Sequence, residues 1–133
     1  MISLFSDASS LQLALLSFFA LCIGHALADF PLQGRYLSIV KNRHADVSEF
    51  FPDEESSRYA WIHALASHSL IHAGIVWIIT GTVLFAIIEF ILHCLIDYIK
   101  CEGATSFHTD QLLHYLCKLG YVVCIFFGVT DIL

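Results

Sequence analysis

Eight side chains of metal-ligand type stand in this 133-residue chain as four pairs spaced by four: His25 with Asp29, His68 with His72, His93 with Asp97, and Asp110 with His114. On a helix that spacing stacks both members of a pair on one face, a turn apart. Imidazole and carboxylate suit zinc, iron or manganese, and paired ligands on facing helices are a means of building a dinuclear centre in a bundle. The expectation is a divalent metal site of two ions, zinc foremost, with iron or manganese as alternatives. Singly, each pair has another explanation. Asp110 could cap a helix, His68 and His72 could hydrogen-bond between helices, and His25 and Asp29 could face lipid headgroups. Four coincident pairs call for one explanation, because ionisable groups in an apolar setting are costly unless paired. Asp29 is the sharpest case. In "GHALADFPLQ" it follows an apolar run, where the negative end of a helix dipole disfavours a carboxylate unless a cation compensates it.

The elements that must position these pairs are apolar. The chain is 58% hydrophobic and only 14% charged, with a mean hydropathy of +0.76, whereas a soluble domain carries about a quarter charged residues. Composition therefore predicts an all-α, polytopic membrane protein. Its one domain, residues 1–133, is read as a four-transmembrane-helix bundle with spans at about 11–30, 60–80, 83–99 and 111–130 and a loop at 31–58 with room for a short interfacial helix. The basic residues Arg35, Lys41, Arg43, Arg58 and Lys100 fall in or beside the loops after the first and third spans. The positive-inside rule then makes those loops cytoplasmic and puts both termini outside, in a bacterial cytoplasmic (inner) membrane. Up-down-up-down order brings all four pairs into the cytoplasmic half of the bundle. Ala26-Leu27-Ala28 has the look of a signal-peptide cleavage site, but the first ten residues contain no Lys or Arg, so an uncleaved span is expected. The five cysteines form no C-x-x-C pair and are expected to pack as small apolar residues.

The motifs also carry a resemblance. "HALADFPLQ" followed by Lys41, then "SHSLIH", "HCLIDYIK" and "DQLLHYL", resemble the successive motifs of a bacterial and phage membrane family defined by domain of unknown function number 3307, over residues 24–116. That family is similar in its His and Asp motifs to membrane-bound metal-dependent hydrolases, so the resemblance implies a metal site. It carries over His25, Asp29, Gln33, His68, His72, His93, Asp97, Lys100, Asp110, Gln111 and His114. It does not clearly carry over His44, His63, His108 or Glu89.

Those four divide by position. His63 lies roughly 140° around its helix from His68 and is expected to face away, while His44 and His108 fall in loops. Glu89 precedes His93 by one turn and comes level with Lys118 of the next helix; the two form either a buried structural ion pair or, for Glu89, a catalytic base. The leading functional expectation is hydrolysis of an amphiphilic or membrane-proximal substrate at the cytoplasmic face. Two divalent ions would lower the pKa of a shared water and stabilise a developing oxyanion. Asp29, Asp97 and Asp110 are the candidate bridging ligands, and one left unbound could serve as general base. Gln33 and Gln111 would hydrogen-bond to ligand side chains, and Lys100 would attract an anionic substrate or anchor the helix at the interface. The alternatives are a non-catalytic membrane interaction protein, phage-encoded, stapled by metal, or a metal transporter or sensor. Apolar outer helix halves argue against transport, and a single His-only box argues against a di-iron oxygenase. A homo-oligomer in the bilayer is compatible with this composition, and no nucleic-acid partner is expected.

Overall fold

The structure, a computed structural model, describes residues 10–51 and 57–129. The first nine residues, part of the "FFPDEESSR" stretch and the last four residues lie outside them. Among the described residues the chain is all-helical. Helix α1 (Ser10–Leu27) runs into a π-helical turn (Ala28–Leu32), then come α2 (Gly34–Val40), α3 (Ala60–Thr80), α4 (Val83–Cys101) and α5 (Phe107–Phe126).

The local causes are legible. Pro31 cannot donate a backbone hydrogen bond and would clash with the carbonyl four residues earlier in a regular helix. Here it sits inside the wider π turn, which relieves that clash. Gly34 then takes a φ of 56°, a conformation open to glycine that breaks the helical path before α2. Helix α3 stops at Gly81, whose φ of 73° and N–H bond to the Trp77 carbonyl at 2.7 Å form a left-handed C-cap. Helix α5 begins at Ser106, whose Oγ accepts from the Thr109 N–H at 3.1 Å. The capping role open to Asp110 thus belongs to Ser106, and Asp110 points inward.

Helix α1 packs against α3 and α5, and α4 against the same two helices, closing a four-membered ring. At Gly24 the backbones of α1 and α3 come so close that an added Cβ would lie 2.3 Å from Ile75 Cγ2. Two apolar cores result. One gathers Leu21, Val76, Phe85, Tyr121 and Ile125. The other packs Val40 of α2, with Leu37, Phe50 and Phe51, on Ala60 and Ala64 at the start of α3. On α3 the pair His68 and His72 lies between Ala64 of the second core and Val76 of the first.

Among the described residues two helices, not the four expected, are long and apolar enough to cross a membrane: the continuous Ser10–Leu32 helix and Ala60–Thr80. Helices α4 and α5 have comparable lengths of 19 and 20 residues but carry Glu89, Asp97, Lys100, Asp110 and Lys118. Two of the expected boundaries move. The first helical path does not end at 30, so Asp29 sits inside a helical turn rather than at a terminus, and α5 starts at Phe107 rather than 111. The segment expected as loop from 31 is helical as far as Val40. The five cysteines are free and half-buried, and Cys117 and Cys124 pack against the first core.

Candidate metal centre

Each element delivers ligand-type side chains to one layer. His25, His68, His72, His93 and His114 are each no more than 1% exposed, and Asp97 and Asp110 are equally enclosed. The imidazoles crowd together: the His93 ring stacks on His72 at 3.7 Å between centroids and on His114 at 4.1 Å. Nε2 atoms meet near the middle, His93 to His68 at 3.2 Å. Asp29 Oδ1 lies 3.1 Å from His72 Nε2 and 3.4 Å from His68 Nε2, and Asp29 Oδ2 lies 3.5 Å from His25 Nε2. On the far side His114 Nε2 stands 3.6 Å from Asp110 Oδ1 and 3.8 Å from Asp97 Oδ1.

Orientation says more than distance. His72 Nε2, His114 Nε2 and Asp110 Oδ1 are buried and have no hydrogen-bond partner among the described residues, although the carboxylate and imidazole atoms named above stand close by. Buried polar atoms are nearly always satisfied. Atoms that approach without aiming at one another fit a shared centre between them, which is the arrangement of ligands around an ion. Two groups have their donor atoms within 4.8 Å of each other: Asp29, His68, His72 and His93, and His93, Asp97 and His114. Buried His and Asp groups could therefore hold a metal ion. His93 is common to both groups.

Charge separates the two groups. Lys41 Nζ donates to Asp97 Oδ2 at 2.6 Å and to Gln33 Oε1 at 3.1 Å, and Lys100 Nζ donates to Asp110 Oδ2 at 2.8 Å. Lys118 Nζ donates to Glu89 Oε1. Three of the four enclosed carboxylates thus have an ammonium. Asp29 has no Lys or Arg partner among the described residues; it accepts from Gln111 Nε2 at 2.7 Å and otherwise faces His25, His68 and His72. With His68, His72 and His93 it belongs to a group that could hold a metal ion.

Around these groups the remaining expected residues take clear places. Gln111 spans Asp29 and His25, its Oε1 lying 3.3 Å from His25 Nε2. Glu89 accepts from Lys118, from the Tyr121 hydroxyl at 3.0 Å and from His93 Nδ1 at 3.2 Å. A carboxylate on Nδ1 draws the proton there and leaves the Nε2 lone pair facing the centre, the usual support for a metal-binding imidazole. His63, His44 and His108 are exposed. Outside the helical layer, Arg43 donates to both oxygens of Glu102 at 2.7 Å, which ties the segment after α2 to the end of α4. That pairing holds the Glu102 carboxyl below its ordinary pKa.

Lys41 is the residue that sequence reasoning missed as part of the site. It was legible only as a basic loop residue following "HALADFPLQ", and nothing in its spacing reveals that α2 folds back to lay it on Asp97.

The sequence profile of the family described as "Protein of unknown function (DUF3307)" matches residues 17–131. The chain belongs to the DUF3307 family. No curated protein and no solved structure matches it. The profile match takes in α2, α3, α4 and α5 whole, so all four ligand pairs and Lys41 fall within the family's extent.

Proposed function

We propose that this DUF3307 member is an integral membrane metal-binding protein whose centre hydrolyses an amphiphilic or membrane-proximal substrate at the cytoplasmic face. Asp29, His68, His72 and His93 are the principal candidate ligands, three of which would hold a zinc with a position left for water or substrate. Asp97 and His114, with Asp110 adjacent, form an alternative group around the same His93 nitrogen, which serves one ion at a time. When bound, the metal would supply Lewis acidity and lower the pKa of a water.

The observation that carries this reading is the position of Asp29. It belongs to the first ligand group and also lines an open cavity of about 420 Å³, together with Gln33, Lys41, Lys100 and Gln111. A metal used only to staple helices is enclosed by protein ligands, whereas chemistry needs a ligand position open to substrate. Here the carboxylate without an ammonium partner stands at the edge of accessible space.

The membrane reading extends to all four long helices. The outward faces of α4 and α5 present Leu84, Ile87, Ile91 and Leu95, and Leu112, Leu116, Leu119 and Val123, while Glu89, Asp97, Asp110 and Lys118 are turned inward. Such an inverted pattern suits lipid outside and a polar centre within. We place the loop after α1 in the cytoplasm and both termini outside a bacterial cytoplasmic membrane, following the basic residues.

Metal analysis of detergent-purified protein under non-chelating conditions tests the centre, and a panel of ester, phosphoester and amide substrates tests the chemistry. Stoichiometric zinc with metal-dependent turnover is expected. Protein without transition metal would refute the centre, and stoichiometric metal without turnover on any substrate class would leave a metal staple as the better account.

A further inference from the structure

The cavity beside Asp29 has a charge character of its own. Lys41, Lys100 and Arg35 line it, and Phe30 and Phe107 flank it. An ammonium carries three donors. Lys41 directs two of its own to Asp97 and Gln33. Lys100 directs one to Asp110 and lies 5.0 Å from the centre of the Phe107 ring. Both lysines therefore face the cavity with donor capacity beyond their carboxylate partners. Lys100 is also the more accessible, its side chain 29% exposed against 7% for Lys41.

Resting on the metal reading above, we propose that this cavity is the binding site for the phosphoryl group of the substrate, with Lys100 and Lys41 as its recognition residues and Arg35 at the rim. The charge balance selects the ligand. Four enclosed carboxylates and three ammoniums leave the layer net negative while the imidazoles are neutral, and a divalent ion reverses that sign. Anion binding at this mouth is thereby coupled to the metal. Arg35 is bonded to Glu49 at 2.8 Å as the two lysines are to their aspartates, so an anion must use the donors left over on all three; a phosphoryl group, with between one and two negative charges near neutrality and several acceptor oxygens, can use more of them than a singly charged carboxylate. The volume of about 420 Å³ falls in the range of small-molecule sites and leaves room beyond the phosphoryl group for the part of the substrate that meets Phe30 and Phe107.

The test is calorimetric titration of inorganic phosphate into zinc-loaded, detergent-solubilised protein, with zinc content measured on every sample. Wild type should bind phosphate, Lys100→Gln should bind about tenfold more weakly at equal zinc content, and Lys100→Arg should recover most of the loss. A parallel arm reconstitutes the protein in nanodiscs of phosphatidylcholine with and without phosphatidic acid and repeats the titration. Competition from phosphatidic acid that depends on Lys100 identifies a lipid headgroup as the source, and its absence identifies a soluble phosphoester. Failure of both probes to bind, or binding indifferent to Lys100→Gln, overturns the proposal. Failure of the metal reading registers separately as absent zinc. Phosphate binding by such protein is then judged on the same variants, and sensitivity to Lys100 upholds the anion site while insensitivity removes it.

Discussion

Asp29→Asn isolates the one enclosed carboxylate that has no cationic partner. Asparagine keeps the shape and one acceptor oxygen, so the bond from Gln111 Nε2 survives in weaker form. In metal-free protein the wild-type carboxylate is an incompletely compensated charge whose side chain is only 10% exposed. Removing that charge should leave the metal-free bundle unchanged or slightly stabilised, because Gln111 and the neighbouring imidazoles supply part but not all of the compensation an ammonium would give. With zinc bound the substitution should destabilise. A site holding zinc at about 1,000 times its Kd is stabilised by about 4.1 kcal/mol. Loss of an anionic ligand that weakens binding about 100-fold removes about 2.7 kcal/mol of this, more than the gain in the metal-free state.

The assay is thermal unfolding of both proteins in detergent at about pH 8, above the ordinary imidazole pKa near 6.5, with zinc and with chelator. At roughly 3–4 °C per kcal/mol for a chain of this size, Asp29→Asn should leave the midpoint level or slightly raised under chelator and lower it by several degrees under zinc. A shift of equal sign and size in both conditions would remove Asp29 from the ligand set. It would also break the inference from its lack of an ammonium partner to a bound cation.

Other outcomes follow from particular contacts. Glu89→Gln strands the Lys118 ammonium and should cost about 3–5 kcal/mol, whereas Lys118→Met should cost less because Tyr121 and His93 still bond to Glu89; denaturation of both singles and the double, which should recover part of the loss, measures this, and full stability with lost turnover in Glu89→Gln would make it a catalytic base. His93→Ala should remove the metal held with Asp29, His68 and His72, and His114→Ala should spare it, read as zinc per protein. Gly24→Ala should cost about 1–3 kcal/mol by forcing α1 from Ile75, checked by the same unfolding assay. A cysteine at position 44 should resist labelling from outside intact cells, and ready labelling there would reverse the proposed topology.

The four His and Asp pairs were legible because their spacing matches the helical period, and the same period that builds an outward apolar stripe places ligand-type side chains on the opposite face. Glu89 and Lys118 could be matched in depth for the same reason. What spacing could not show was the path after Pro31. The loop expected from 31 rests on the polar composition of 31–58, and proline itself ordinarily ends a helix. The π turn evades it by opening the hydrogen-bond ring, and a local pattern carries no sign of such a turn. Asp110 was ambiguous from the other direction. Ser106 and Asp110 both suit a helix start, and only the bond from the Thr109 N–H decides between them.

The path after Pro31 explains why the site needs α2 at all. Had the chain left the bundle at residue 30, Asp97 would lack its ammonium and, with Asp29, would put two uncompensated carboxylates into one apolar layer. The π turn and Gly34 instead carry the chain into α2, whose Val40 packs on Ala60 and Ala64, and Lys41 is laid on Asp97 from that anchored end. Lys100 does the same for Asp110 from α4. With both lysines in place the metal-free layer has a single unmatched carboxylate, a cost the apolar cores on either side can bear. Folding then need not wait for metal, and the one charge left over is the one beside the open cavity. On the function proposed above, that charge would draw the metal to the Asp29 position, where a substrate entering past Lys41 and Lys100 would meet it.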